Sequence, residues 1–280
     1  MIKGYLIFDL VGTLVKSPPD SLKHQSKLKH LQALNLTPER IAEIEQSPVI
    51  NVSEEFRAKN ICEPDFDVSG YHLRKDTIGV LKHLKSQNWS LVLGVNSAMP
   101  KKIRAILSLR EEEVTLGELF DFVCISSEVG KAKPNPEFIF CALQGKAASE
   151  VFVIGDMLDT DILAAQKAQT KAVWLNASPS NPKRNSEAIN SGTVVYPRTV
   201  TSLSLLESAL EHYEPKGVRV GYILPFEDKK QSTGLKKCFE SNPEFWYNAM
   251  EPRANLELQG EVQVIVHKVA DYLSMNVLLK

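Results

Sequence analysis

The stretch Tyr5-Leu6-Ile7-Phe8-Asp9-Leu10-Val11-Gly12-Thr13-Leu14 decides the reading of the fold. Four apolar residues in a row, closed by an aspartate and a Gly-Thr turn, suit a short strand buried on both faces; a half-exposed strand would alternate. Gly12 permits the chain reversal such a loop needs, and Asp9 then stands at the carboxyl end of the strand. Similar runs follow at 91–95, 122–125, 151–154, 172–175 and 193–196. Helical patterns lie between them. Asp76 can cap a helix through Asn88 with Ile78, Leu81 and Leu84 on one face, and Pro100 can start another carrying Ile103, Ile106 and Leu107. The segments 136–143 and 162–168 fit the same pattern. Strands alternating with helices predict an α/β fold, a doubly wound parallel sheet with helices on both faces.

The interval 15–75 breaks that rhythm. Ser17-Pro18-Pro19-Asp20 leads into a helical stretch with Leu22, Leu28, Leu31 and Leu34. Thr37-Pro38-Glu39-Arg40 starts a second helix on capping and first-turn proline grounds, and 52–60 is a third candidate. A small helical cap inserted there can cover the carboxyl ends of the strands, where open α/β sheets bind ligands. A helix over 201–213, with Leu203, Leu206 and Leu210 on one face, closes the α/β unit before Glu214-Pro215-Lys216-Gly217. The expected organisation is therefore a core of 1–14 and 76–213, a cap of 15–75 and a C-terminal extension of 214–280. The extension holds a possible strand at 218–224 and an aromatic patch of Phe239, Phe245, Trp246 and Tyr247. Such aromatics pack more often against a main domain than in a partner site, though a protein partner through this extension stays open.

Composition excludes several classes. The 280 residues are 43% hydrophobic and 24% charged, and 33 basic against 34 acidic side chains leave a net charge of -1. That balance gives no electrostatic footprint for nucleic acid. No apolar run approaches the roughly 18 to 20 residues a membrane span needs, in keeping with a mean hydropathy of -0.16. The N-terminal apolar stretch is too short for a signal peptide. Cys62, Cys124, Cys141 and Cys238 are scattered without a Cys-x-x-Cys pair. They read as buried free thiols in a reducing compartment, so a cytoplasmic location is expected. The histidines form no zinc-ligand spacing.

Three strand ends carry the chemistry. Asp9 follows the first strand. Gly130-Lys131-Ala132-Lys133-Pro134-Asn135-Pro136 places a lysine where it can aim a fixed ammonium at an anion. Val153-Ile154-Gly155-Asp156-Met157-Leu158-Asp159-Thr160-Asp161 ends a buried strand in one aspartate and adds another five residues on. Clustered carboxylates at a strand end are costly unless a cation or a lysine compensates them, and hard oxygen donors of this kind suit Mg²⁺.

In this order and spacing the segments resemble the haloacid dehalogenase superfamily, most of whose members are Mg²⁺-dependent phosphatases with a Rossmann-like core. The resemblance spans about 4–210, and the insertion matches the family's cap between its first and second motifs. It implies that Asp9 is the nucleophile forming an aspartyl-phosphate. It further implies that Asp9, the Val11 carbonyl and Asp156 hold Mg²⁺, with Asp161 orienting Lys133 or a metal-bound water. Lys133 would hold Asp9 and the phosphoryl oxygens, with Thr13, Asn96 and Ser97 as the remaining phosphate-binding positions. The implied substrate is a small phosphorylated molecule.

Two positions depart from the pattern. Val11 stands where the family's phosphatases carry a second aspartate as general acid and base. Val95 stands where they carry a phosphate-binding Ser or Thr, with Asn96 retained and Ser97 displaced by two. Two other readings therefore stand beside the phosphatase. One is attack on a C-halogen or C-P bond, the latter needing a Schiff-base lysine, for which Lys23, Lys27, Lys29 and Lys59 are available. The other is a non-catalytic binding or assembly protein.

Overall fold

Strand β1 (Gly4–Phe8), buried along its whole length, takes a central place in the sheet. The computed structural model describes residues 2–146, 150–177, 182–191, 193–194, 197–211, 213, 221–223 and 263–265. In chain order the elements after β1 are β2 (Val15–Lys16), α1 (Asp20–Gln32), α2 (Pro38–Gln46), α3 (Val52–Ala58), β3 (His72–Leu73) and α4 (Thr77–Ser86). There follow β4 (Trp89–Val95), α5 (Pro100–Leu107), β5 (Arg110–Glu111), β6 (Val114–Thr115), β7 (Phe122–Ile125), α6 (Ser126–Val129) and α7 (Glu137–Ala142). The last are β8 (Val151–Gly155), α8 (Leu163–Lys167), β9 (Lys171–Leu175), α9 (Pro182–Asn190), β10 (Arg198–Val200), α10 (Leu206–Glu211), β11 (Gly221–Ile223) and β12 (Gln263–Ile265).

Six strands form one sheet in the order β10, β9, β8, β1, β4, β7. β1 pairs in parallel with β4 and β8, β4 with β7, and β8 with β9. The order reverses at β1, so the crevice past its carboxyl end is the place where such sheets take ligands. Asp9 lies there, its N–H donating to the Ile154 carbonyl at 2.9 Å. The core is built from the apolar runs themselves: Leu6, Phe8, Leu91, Leu93, Phe152 and Ile154 are all sealed from solvent. Together these elements make the doubly wound, Rossmann-like α/β fold.

Several expectations are corrected in detail. The strand expected at 193–196 is displaced: Thr193 and Val194 lie in no strand, 195–196 fall outside the described residues, and β10 begins after Pro197. Proline has no N–H for a ladder. Past this proline β10 lies in the sheet, and the Asn176 N–H donates to the Val200 carbonyl at 2.8 Å. Asp76 stands before α4 but makes no side-chain cap; its φ of 65° is left-handed. The entry is set instead by Leu14, whose carbonyl accepts from the Arg74 N–H at 2.9 Å and the Thr77 hydroxyl at 3.0 Å. That helix also ends at Ser86, two residues before Asn88. The helix expected from 162 is preceded by a single π turn, Leu158–Ile162. Of the cysteines, Cys124 is buried, Cys141 half-buried and Cys62 exposed, since Cys62 sits in the connection after α3; Cys238 lies outside the described residues.

The insertion carries α1, α2 and α3, with Thr37 capping α2 as its side chain accepts from the Arg40 N–H. Its stem is an antiparallel ribbon, Val15 facing Leu73 and Lys16 facing His72. At its far end the Val52 N–H donates to the Ala98 carbonyl at 2.9 Å and the Ser126 hydroxyl to the Pro48 carbonyl at 2.5 Å. The insertion is thus tied to the loop after β4 and to the first residue of α6.

The chain divides into two compact units, 1–195 with 200–207, and 196–199 with 208–280. In the second, β11 and β12 pair in parallel, β11 falling inside the strand expected at 218–224. The aromatic patch at 239–247 lies outside the described residues. Among the described residues no helix is long and apolar enough to cross a membrane.

Candidate active site

Four charged side chains that are distant in sequence meet past the carboxyl ends of β1, β4 and β8. Lys133 is the hub. Its Nζ donates to Asp9 Oδ1 at 2.7 Å, to Asp161 Oδ1 at 2.6 Å and to the Gly94 carbonyl at 2.8 Å, which uses all three ammonium protons. Lys133 is 4% exposed, Asp161 1% and Asp156 0%. The carboxylates of Asp9, Asp156 and Asp161 offer oxygens that all lie within 4.8 Å of one another.

Local structure explains this convergence. Gly12 has a φ of +98°, and a Cβ there would lie 2.3 Å from an Asp156 carboxylate oxygen. Only glycine lets the loop after Asp9 close over Asp156. A Cβ at Gly155 would likewise meet the Asp161 carboxylate at 2.3 Å. The Asp161 carboxylate is aimed by the π turn: its Oδ2 accepts from the Met157 N–H at 3.1 Å, while its own N–H donates to the Met157 carbonyl at 2.9 Å.

The remaining expected site residues are placed as follows. Asn96 grips the Lys133 backbone on both sides, its Nδ2 donating to the Lys133 carbonyl at 2.8 Å and its Oδ1 accepting from the Lys133 N–H at 2.9 Å. These two bonds fix the backbone from which the Lys133 side chain extends, and leave one Nδ2 proton of Asn96 over. The Ser97 hydroxyl is turned onto its own loop, accepting from the Met99 N–H at 3.1 Å. Thr13 is buried, with its hydroxyl 3.4 Å from Asp156 Oδ1. Val11 is half-buried and bridges to Val15; Val95 is buried. Of the lysines considered for a Schiff base, Lys23 pairs with Asp20, Lys27 with Glu45, and Lys59 donates to the Leu34 carbonyl.

Sequence reasoning missed the supports behind Asp156. Its carbonyl accepts from Trp174 Nε1 and from Asn185 Nδ2, each at 3.0 Å, and Asn185 Oδ1 accepts from the Leu158 N–H at 2.9 Å. Neither residue belongs to a readable motif, and Asn185 lies 29 positions from Asp156. Arg74 was also missed. It is half-buried beside the loop after Asp9, its Nε has no partner among the described residues, and burial lowers its guanidinium while the Asp156 charge opposes that shift.

The electrostatics show what the cluster lacks. Burial pushes the Asp9 carboxyl up to about 6, with Lys133 opposing and Asp161 adding to the rise. Burial, then the charges of Asp9 and Asp161, push Asp156 up to about 8. Burial alone would lower the Lys133 ammonium, but Asp161 and Asp9 outweigh it and hold it above its ordinary value. With all three carboxyls ionised, one ammonium leaves two negative charges in a largely buried site, which is why burial and mutual repulsion push two of the carboxyls up. One divalent cation cancels the two charges, and an all-oxygen donor set fits a hard ion.

The fold and this cluster define a hydrolase class built on a strand-end aspartate. A family model described as haloacid dehalogenase-like hydrolase matches residues 6–175, more than half of the chain, and the protein belongs to that family. Among curated relatives, pyrimidine 5'-nucleotidase YjjG of Escherichia coli is 38% identical over 76 residues, 26% of this chain and 34% of that protein. The chain thus matches about a third of that relative's length. Pyrophosphatase PpaX of Oceanobacillus iheyensis is 27% identical over 195 residues, 63% of this chain and 86% of that protein. Among solved structures, a HAD phosphatase from Thermococcus onnurineus aligns with a TM-score of 0.51 at 19% identity, over 74% of this chain and 97% of its own. A 2-haloacid dehalogenase from Pseudomonas syringae does so with a TM-score of 0.51 at 20% identity, over 76% of this chain and all of its own, 100%. At those identities the structures speak for the fold.

Proposed function

We propose that this chain is a Mg²⁺-dependent phosphatase acting on a small phosphorylated metabolite through an aspartyl-phosphate on Asp9. The observation that carries the reading is the convergence of Asp9, Asp156 and Asp161 on one buried lysine. Two curated relatives named for release of phosphate from small molecules, the nucleotidase and the pyrophosphatase, support it. The setting that goes with this reading is cytoplasmic, without a nucleic-acid or membrane partner.

In this reading Asp9 attacks the phosphorus in line, and its carboxylate takes the phosphoryl group as the leaving oxygen departs. Lys133 holds the attacking carboxylate in place and faces the phosphoryl oxygens with positive charge. Asp161 keeps the ammonium oriented and charged, and Asn96 fixes the backbone from which it extends. Asp9, Asp156 and the Val11 carbonyl would hold Mg²⁺, with Asp161 beside them. The ion supplies a Lewis acid and a counter-charge for the transferring group. Asp156 itself is aimed from behind by Trp174 and Asn185.

Val11 sets the preferred leaving group. No carboxyl is available at that position to protonate the departing oxygen, so acyl and aryl phosphates, which leave without help, are the better substrates. Acid-base catalysis is worth ~10²–10⁴-fold. Val11→Asp is therefore expected to raise kcat/KM for an alkyl phosphate by up to that factor and for an acyl phosphate far less. A leaving-group series measured on both proteins checks this, and parallel changes across the series contradict it.

Metal binding carries a pH signature. Both carboxyls have folded-state values above 3.8, at about 6 for Asp9 and about 8 for Asp156. Their protonated forms favour the metal-free fold, and that stabilisation is lost as pH rises through about 6 and then about 8. Mg²⁺ needs the ionised forms. Metal-free protein is expected to melt at lower temperature as pH rises across this window, while the increase in Tm on adding Mg²⁺ grows. Melting curves with and without the metal test it; a Mg²⁺ effect that shrinks with rising pH runs against the reading.

A further inference from the structure

Three buried polar atoms without a partner among the described residues, His30 Nδ1, Tyr71 Oη and Arg74 Nε, lie in the insertion and on the stretch that returns from it. Buried unsatisfied groups are rare, and each asks for a ligand, an ion or a water. One of them, the Tyr71 hydroxyl, belongs to a ring that borders a half-buried cation. Lys102, at the third position of α5, holds its Nζ 5.5 Å from the Tyr71 ring centroid and 5.7 Å from that of Phe66. Phe66 in turn packs on His30, with 5.6 Å between centroids. Tyr71 is 3% exposed.

The charges around Lys102 are unbalanced. Lys23 and Lys27 of α1 act on it with like charge, and burial together with those two pulls its ammonium down to about 8. Its neighbours have counter-charges: Lys23 pairs with Asp20 at 2.6 Å, Lys27 with Glu45 at 3.5 Å, and Lys101 with Asp65 at 3.0 Å. Lys102 pairs with no carboxylate among the described residues. A half-buried ammonium repelled by two others, over the ring of a tyrosine whose hydroxyl has no partner among the described residues, suits an anion.

Its position relates it to the carboxylate cluster. α5 starts just past the Asn96 loop that grips Lys133, and the insertion meets that loop where the Val52 N–H donates to the Ala98 carbonyl. Arg74, three residues after Tyr71, donates its N–H to the Leu14 carbonyl beside Asp9's loop and feels the charge of Asp156. We propose that Lys102 and Tyr71 form a subsite for a second anionic group of the substrate, a carboxylate or a second phosphate, where the insertion meets α5. The inference rests on the phosphatase reading and narrows its substrate class to phosphorylated molecules carrying a further negative charge.

Calorimetry on full-length Asp9→Asn protein with Mg²⁺ tests it without turnover. The probes are alkyl phosphates of increasing chain length, each compared with its ω-carboxylate and ω-phosphate counterpart. At a chain length that spans the two subsites, the ω-anionic ligand is expected to bind about ten to a hundredfold tighter than the plain alkyl phosphate, the range for charge-assisted hydrogen bonds. Adding Lys102→Met brings that ratio close to one, and adding Lys102→Arg keeps most of it. A purely structural Lys102 would weaken all ligands alike and leave the ratio standing. A ratio near one at every length in the Lys102 protein, or one that survives Lys102→Met, overturns the subsite. Failure of the plain alkyl phosphates themselves to bind is a separate result and overturns the phosphatase reading beneath it.

Discussion

Asp9→Asn is expected to lower kcat/KM for an acyl phosphate by about 10⁴-fold or more, the scale seen when a covalent nucleophile is removed. The amide preserves the shape of the side chain but is not a competent nucleophile toward phosphorus. The same change should leave the fold intact. Ionised Asp9 is one of the charges that push Asp156 up, so removing it relieves repulsion in the metal-free protein. Thermal stability above pH about 8, where both carboxyls would otherwise be ionised, should not fall. Initial rates and melting curves on one preparation separate the two effects. Turnover that persists in the variant places the chemistry elsewhere.

Lys133→Met is expected to act on stability as well as on rate. The ammonium makes three hydrogen bonds from a site 4% exposed, two of them to carboxylates. Removing one partner of a buried ion pair typically costs about 3–5 kcal/mol, because the opposite charge is left uncompensated. The cost should be largest in metal-free protein above pH about 8, where Asp156 and Asp9 are ionised. It should shrink on acidification, as the carboxyls take up protons, and on addition of Mg²⁺. Urea unfolding with and without the metal measures both. An unfolding free energy unchanged by the substitution would mean that the lysine is not the balancing charge.

The parts of this site that were legible in the sequence are those set by strand ends. Tyr5 to Phe8 and Val151 to Ile154 are apolar runs that have no stable place except between two layers of helix; an aspartate follows the first directly and the second after Gly155. The sheet's switch point at β1 then brings Asp9 and Asp156 together. Lys133 is 124 positions from Asp9: the proline-flanked lysine stood out as an anion-facing candidate, but its pairing with Asp9 was implied only by the resemblance to a known family. What stayed hidden depends on single side chains reaching across the fold. The grip of Asn96 on the Lys133 backbone, and the two donors on the Asp156 carbonyl, leave no periodic trace. The ribbon of Val15–Lys16 with His72–Leu73 is two residues per strand, below any pattern that alternation can reveal. Asp76 shows the converse, a good capping residue overridden by hydrogen bonds to Leu14 that fix how the chain enters α4. The apolar run at 193–196 carried a strand assignment, but Thr193 and Val194 lie in no strand and the described strand starts at Arg198, just past Pro197, which lacks an N–H for a ladder.

The most direct test of the central claim is to quench the protein in acid during turnover of an acyl phosphate with Mg²⁺ and map the modified residue by mass spectrometry. The account predicts one phosphoryl group on the peptide containing Asp9, absent without the metal and absent in Asp9→Asn. Steady turnover with no phosphoryl group on that peptide, or with the group on another residue, would contradict it.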